Sequence, residues 1–370
     1  MNDAAILAAA HLLETGVLVA FPTETVYGLG ADAENPAAVA RIYLAKGRPS
    51  NHPLIVHLAP EADLNYWAQA IPPAALGLIA AFWPGPLTLI LKRAAHIPDA
   101  VSGGQDSIGL RCPSHPVAQA LLRAFKNGKG GIAAPSANKF GHVSPTSAQH
   151  VRDEFGADDP HIGAILDGGR SEVGIESTIL DLSRMESVGP VLLRPGAISA
   201  EAIRTVIGRM PLAPDAAAPR ASGTLEAHYA PQTPVALAPA EQCAELCARL
   251  SAAGRRIALI RSGVPDRVAP GQVAPEQVAP DLVEHDQIAP YRVAHDQLAH
   301  DPCWLAGQAV LPATPAGYAH DLYAALRAMD SVGADLILVA APPTDAEWAG
   351  VNDRLRRAAY DSTGILQRLL

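Results

Sequence analysis

Val17-Leu18-Val19-Ala20-Phe21-Pro22-Thr23-Glu24-Thr25-Val26-Tyr27-Gly28 is the stretch on which the fold turns. Five consecutive apolar residues between Gly16 and Pro22 predict a buried strand, because no polar face interrupts them at helical spacing. Pro22 ends the strand, and the polar run that follows becomes a loop at its end. The pattern recurs at 53–58, 87–91, 107–111, 131–134, 162–166, 177–182 and 191–194. Residues 4–14 and 36–46 carry helical apolar spacing; Gly16 closes the first and Pro36 suits the first turn of the second. The sum is a mixed α/β sheet with functional loops at its strand ends.

Beyond this sheet the chain changes character. Residues 209–220 are rich in Pro and Ala and predict an extended linker. Helical patterns at 240–253, 317–331 and 344–359 then alternate with strand patterns at 256–261 and 336–340, as in a smaller parallel-sheet domain. The division is 1–210 for a first domain, 211–234 for a linker and 235–370 for a second. Within the latter, from Val268, an aliphatic residue recurs every fifth position through Val273, Val278, Val283, Ile288, Val293 and Leu298. A period of five fits neither helix nor strand, and its prolines recur where ladder donors are needed. We read 268–302 as a low-complexity insert rather than a solenoid, and His285, His295 and His300 as loop residues rather than metal ligands.

With 370 residues, 49% of them hydrophobic, the chain can bury a sizeable core and form more than one domain. Its net charge of −9 argues against a broadly basic nucleic-acid-binding surface, yet leaves room for a local basic pocket. Cys112, Cys243, Cys247 and Cys303 include no CxxC pair, so buried thiols in a reducing compartment are expected. The N-terminal segment has an acid and no basic region, so no signal peptide is expected, nor is any apolar run of membrane-spanning length present. A cytoplasmic protein with no membrane partner is the expectation.

Two polar clusters stand out within the apolar first half. Lys46-Gly47-Arg48 offers a point charge and a planar fork, a suitable pair for a polyphosphate, although KxR is also a common solvated turn. Pro135-Ser136-Ala137-Asn138 follows an apolar strand; its Ser and Asn can hold phosphate oxygens or a metal-bound water, or simply make a turn. His57 sits within an apolar run. Arg111 and Arg194 each end one, and a buried arginine needs an anionic partner, either a structural carboxylate or a substrate. Ser177-Thr178 can bond a polar substrate or cap a strand. Tyr229, in His228-Tyr229-Ala230-Pro231, has no local core to join and is read as docking over something, as a lid. No GxSxG, GxxxxGK[ST] or HExxH motif is present, and Gly28-Leu29-Gly30 lacks the third glycine of a dinucleotide fingerprint.

Taken in order, Phe21–Leu29, Lys46-Gly47-Arg48, Pro53-Leu54-Ile55-Val56-His57, Trp83-Pro84-Gly85-Pro86-Leu87-Thr88, Ala134–Asn138, Glu176-Ser177-Thr178-Ile179 and Leu193-Arg194-Pro195-Gly196 resemble the YrdC-like threonylcarbamoyl-AMP synthase family over about residues 5–210. His228-Tyr229-Ala230-Pro231, Asn352-Asp353-Arg354-Leu355 and Thr363-Gly364-Ile365 resemble its longer two-domain form. The resemblance implies an open, twisted α/β sheet (YrdC-like) with a concave active site, and a Rossmann-like second domain whose linker folds over it. It implies a nucleotidyltransferase joining L-threonine, bicarbonate and ATP, with Mg2+, into threonylcarbamoyl-AMP and pyrophosphate for the t6A modification of tRNA. The implied partners are the downstream tRNA threonylcarbamoyl-transferase machinery and, by contact, tRNA.

Carried over by residue, Lys46 and Arg48 hold the ATP phosphates and are the catalytic cations. Ala134, Ser136, Asn138, Ser144 and Arg194 complete the nucleotide set. Thr25, His57, Arg111 and Ser177 bind threonine, with Arg111 on its carboxylate and Ser107 placed by its nearness to Arg111. Tyr229 closes from the linker. The chain departs from the family pattern at His52, which stands where an Asn is usual before Pro-Leu-Ile-Val; an imidazole there still offers a hydrogen bond to ATP. No metal ligand is expected from protein side chains. A different class, an RNA-binding module of the same fold, is the alternative, and a carbamoyl-adenylate enzyme using another acceptor is a third reading.

Overall fold

The computed structural model describes residues 3–156, 159–263, 291–292 and 305–370. The first domain is built on strands β1 (Leu18–Phe21), β2 (Gly28–Asp32), β3 (Ile55–Leu58), β4 (Ala68–Gln69), β5 (Leu87–Arg93), β6 (Ser107–Arg111), β7 (Gly131–Ala133), β8 (Ile162–Ile165), β9 (Thr178–Asp181) and β10 (Val191–Arg194). Their order across the sheet is β10-β9-β5-β6-β3-β7-β2-β1-β8, with β4 paired to β5 alone. Parallel pairs (β1 with β8, β3 with β6, β5 with β9) mix with antiparallel ones. The unbroken apolar run of β1 has a simple cause. Leu18 and Ala20 enter one core, while Val19 and Phe21 enter another with the helices Asp3–Glu14 and Pro116–Ala124, so both faces are buried.

In the second domain β11 (Val235–Ala238), β12 (Ile257–Ser262), β14 (Leu305–Leu311) and β15 (Leu336–Ala340) are mutually parallel in the order β11-β15-β12-β14. A two-residue strand, β13 (Tyr291–Arg292), pairs antiparallel with β14 at the edge, a departure from the purely parallel sheet expected. The rest of the five-residue repeat, with its three histidines, and Cys303 lie outside the described residues.

The linker is less free than its composition suggests. Leu212 pairs beside β10: its N–H donates to Pro190 and its carbonyl accepts from Leu192. Further along, Tyr229, which has no local core to join, finds one at a distance. It is 1% exposed, adopts a positive φ of 61°, and packs with Val26, Val143 and Ile175 of the first domain and Tyr323 of the second. Its core is formed by both domains, which local composition around residue 229 does not reveal.

Candidate active site

A cleft of about 470 Å³ opens at the strand ends and loops of the first domain, under the linker. Of the residues singled out from sequence it is lined by Thr25, Arg48, His57, Arg111, Ala134, Ser136, Ser177, Arg194 and Tyr229. Among the described residues, three arginines therefore face a lining whose only carboxylate is Glu176.

The cations are delivered by capped elements. Asn35 caps the helix Pro36–Lys46 through its side chain, and Gly47, at φ 63°, ends it. Lys46 is thereby fixed on the last helical turn and Arg48 just beyond. Lys46 does not line the cleft. Its buried Nζ donates to the carbonyls of Ser136, at 2.6 Å, and Asn138. The two polar clusters are thus physically joined, the ammonium of one holding the backbone of the other. Burial, with Arg48 nearby, pulls the Lys46 ammonium well below its ordinary range. Arg48 Nη2 donates to Pro53 O (3.0 Å) and to Ser222 Oγ (3.2 Å) of the linker, and burial lowers its guanidinium to about 10.

Strand register sets the next group. His57 of β3 lies opposite Arg111 of β6 in a parallel pair. Burial first, and Arg111 second, push the imidazole down to about 3, so it is neutral at physiological pH. Its Nδ1 lies 3.2 Å from Ile55 O, which as an acceptor places the proton on Nδ1. Arg111 has found the structural carboxylate that its position called for: Nη2 is 2.7 Å from Glu24 Oε1 in a buried ion pair. The pair is close but poorly aligned, for neither of those atoms, nor Arg111 Nε, makes a hydrogen bond among the described residues. Thr25 is fully buried, its hydroxyl 2.9 Å from that of Thr23.

Arg194 ends β10 and turns back on β9. Its Nε and Nη2 donate to Ser177 O (3.1 and 2.9 Å), Nη2 also reaches Ser177 Oγ (3.2 Å), and Nη1 donates to Ser222 O of the linker (2.8 Å). Ser177 Oγ lies 2.7 Å from Thr88 Oγ1. Beside it, burial works to raise the Glu176 carboxyl, but Arg354 and Arg194 outweigh it and hold the group down to about 2.

Besides Lys46, four expected residues stand outside the cleft lining. Asn138 turns its amide to the carbonyls of Lys139 and His142, both 2.8 Å away. Ser144 donates to Glu176 Oε1 at 2.5 Å. His52 packs edge-on against Phe140. Ser107 opens onto an adjoining cavity of about 260 Å³, lined also by Leu54, Ile55, Ile90, Gln105, Ile179 and Ser222, and so is separated from the group around His57. Sequence reasoning assigned no role to Glu24, Glu176, Ser222 or Arg354. For the two acids the available signal was a carboxylate beside a hydroxyl at the end of a buried strand, just after one in Thr23-Glu24-Thr25 and just before one in Glu176-Ser177.

These features set the chain among two-domain α/β proteins whose larger, mixed sheet carries an arginine-lined cleft covered by the linker. A family model described as "Telomere recombination" (Sua5/YciO/YrdC) matches residues 11–196, and one described as "Threonylcarbamoyl-AMP synthase, C-terminal domain" matches 198–360. The chain is 36% identical to the threonylcarbamoyl-AMP synthase of Pyrococcus abyssi over 95% of its own length and 93% of the relative's. It is 44% identical to that of Bacillus subtilis over 70% and 74%. The crystal structure of P. abyssi Sua5 complexed with L-threonine superposes with a TM-score of 0.78 at 34% identity, covering 97% and 95% of the two chains. The chain belongs to the threonylcarbamoyl-AMP synthase family, in its two-domain form.

Proposed function

We propose that this chain is an L-threonylcarbamoyladenylate synthase of the nucleotidyltransferase class. The threonine amine combines with bicarbonate, with loss of water, to give a carbamate. A carbamate oxygen attacks the α-phosphorus of ATP, the bond to the β-phosphate oxygen breaks, and pyrophosphate leaves. The observation that carries the reading is the convergence of Arg48, Arg111 and Arg194 on one cleft that also offers neutral His57, Thr25, Ser136 and Ser177. Charge builds on phosphate oxygens in such a transfer, and fixed cations in a partly dry site stabilise it without reorganising.

In this reading Arg48, with Ser136 and Arg194, takes the polyphosphate, and Lys46 holds the Ser136 loop that meets it. Arg111, whose Nε and Nη2 hold no hydrogen bond, takes the threonine carboxylate beside its contact with Glu24. His57 binds as a neutral imidazole and is assigned no proton transfer. The cavity around Ser107, walled by Leu54, Ile55, Ile90 and Ile179 and edged by Gln105, Arg220 and Ser222, suits a flat base with polar edges better than it suits threonine. Ser144 and His52 act behind these groups. Tyr229 covers the cleft from the linker.

Mg2+ enters as part of the substrate, Mg·ATP. Among the described residues no group of three or more His, Cys, Asp or Glu side chains is arranged to hold a metal. Hard oxygen donors are nevertheless close to the Ser136 loop, where Asn138 Oδ1 is buried without a hydrogen-bond partner, and the ion supplies charge neutralisation there when bound. We assign the adenylate to a tRNA threonylcarbamoyl-transferase machinery, with tRNA itself as a contact, in a cytoplasmic setting. No helix among the described residues is long and apolar enough to cross a membrane. The net charge of −9 weighs against the RNA-binding alternative.

The deciding experiment incubates the protein with ATP, Mg2+, bicarbonate and each amino acid in turn, and follows pyrophosphate and the adenylate. Threonine-selective formation of both is expected. Pyrophosphate release that ignores the amino acid overturns the assignment.

A further inference from the structure

Among the described residues, Arg354 of the second domain is the largest charged side chain hidden completely, at 0% exposure. Full burial of a guanidinium is costly unless its donors are matched. Here the matches fall on the first domain. Nε donates to Glu176 Oε2 at 2.8 Å, Nη2 to Glu176 O at 3.0 Å and Nη1 to Pro195 O at 2.7 Å; Nη1 also lies 3.1 Å from Asp353 Oδ2 of its own helix. Glu176 precedes Ser177 and Pro195 follows Arg194. One planar fork therefore spans the two chain segments that carry Ser177 and Arg194 into the cleft. The same guanidinium carbon lies 5.5 Å from the centre of the Tyr229 ring.

Glu176 is held from three directions, by Arg354, by Ser144 Oγ and by Tyr323 Oη at 2.9 Å. Three residues along the same helix, Arg357 donates to Leu225 O of the linker and pairs with Asp353 at 2.9 Å. The helix Ala349–Ala358 thus grips the cleft and the linker together. Ordinary docking between the domains looks different. Arg170 and Asp321 pair across the same seam at 2.9 Å, part-exposed and away from the lining residues.

We propose that Arg354 is a positioning residue for the synthase reaction: it sets Ser177 and Arg194, through Glu176 and Pro195, in the geometry the cleft needs. The proposal rests on the functional reading above, and its test separates the two. Arg354→Lys keeps a positive charge near Glu176 but loses the fork that also spans to Pro195. It is compared in the full chain with Arg170→Gln. Threonine-dependent pyrophosphate release is measured per folded molecule, together with amide exchange of residues 176–179 and 194–196.

Arg354→Lys is expected to lower kcat roughly 10–100-fold, as small misplacements of reacting groups do, and to speed exchange in both segments. Arg170→Gln is expected to keep the parent kcat. Should Arg354→Lys fold poorly, the double variant Glu176→Gln with Arg354→Met removes both buried charges at similar volume and is expected to fold yet show the same loss. Parent-like kcat and exchange in a folded Arg354 variant overturn the proposal. So does a loss of activity that matches the unfolded fraction alone. If the parent shows no threonine-dependent turnover, the functional reading falls, and unchanged exchange in the variant would still refute the positioning role independently.

Discussion

The two sheets of this molecule bury different things. In the larger one, charge and imidazole sit at the ends of apolar strands: His57 near the end of β3, Arg111 at the end of β6 and Arg194 at the end of β10, all buried. In the smaller one, β11, β12, β14 and β15 bury apolar side chains such as Val235, Ile260, Leu311 and Leu338, and their described charged residue, Arg261, is exposed. The fully buried charge of the second domain, Arg354, comes from a helix and is spent on the first domain. A buried cation at a strand end is costly unless an anion meets it. The chain bears that cost in the sheet that handles anions, and gives the other sheet the tasks of apolar mass and grip.

The contrast breaks most sharply at the cations. Arg48→Ala or Lys46→Ala is expected to lower threonine-dependent pyrophosphate release at least about 100-fold, the scale on which preorganised donors act, with thermal unfolding still cooperative. Undiminished turnover in both would remove the phosphate role. In the smaller sheet, Leu338→Ala is expected to cost about 2–5 kcal/mol in urea unfolding by leaving a cavity, with activity per folded molecule unchanged. A kcat effect there would mean that the second sheet is part of the chemistry after all.

The same contrast explains what the sequence made legible. Apolar runs between turn residues located most strands of the larger sheet, and arginines at their ends pointed to anions. β2 was missed: Gly28-Leu29-Gly30-Ala31-Asp32 follows the expected loop with no β-branched residue. Yet it lies in mid-sheet between β7 and β1, where Gly30 leaves room for the side chains of the two flanking strands. A Cβ there would come within 2.8 Å of Ile132 and 2.9 Å of Phe21. In the second domain, β11 and β14 escaped because Ala and Gly dilute their pattern, as in Leu305-Ala306-Gly307-Gln308-Ala309. Lys46, Arg48, Ser136 and Arg194 were legible as residues but their bonds were not: Lys46 holds the Ser136 carbonyl 90 positions on, Arg48 and Arg194 meet Ser222, and Arg194 meets Tyr229. Glu176 and Arg354 are separated by 178 positions, and nothing local marks them as partners.

Acid should read that partnership directly. Arg354 and Arg194 hold the Glu176 carboxyl near 2, against an ordinary value of 4.5. As pH falls below 4.5 the unfolded chain takes up a proton that the folded one refuses, so the pair's stabilisation is complete above 4.5 and is lost towards 2. The stability gap between parent and Glu176→Gln, from urea midpoints, is expected to be widest above pH 4.5 and to narrow on acidification. A gap independent of pH would mean that Glu176 contributes no charge. His57 gives a smaller effect of another kind. Because burial and Arg111 keep it neutral, His57→Asn is expected to raise the KM for threonine by up to about tenfold, one hydrogen bond's worth, and to leave the shape of the pH–rate profile unchanged between pH 5 and 9. A lost ionisation in that range would make His57 an acid or base.

The smallest effect is expected where the second domain carries its five-residue repeat. β12 and β14 are parallel neighbours, so the chain leaving Ser262 must return to the start of β14 at Leu305, a crossover that takes about a dozen residues or more. Simple deletion of 268–302 would leave too short a connection and would strain the sheet for reasons unrelated to the repeat. Replacement of 268–302 by about a dozen Gly and Ser residues meets the geometric need while removing the periodic sequence. It removes the two-residue edge strand β13 but touches none of the residues that line the cleft, and neither Arg354 nor the helix that carries it. Turnover is therefore expected to stay within about twofold of the parent, near the scale of an energetically neutral surface change. A drop as large as that of Arg354→Lys would place the repeat in contact with the grip on the cleft, and the division of labour between the two sheets would have to be redrawn around it.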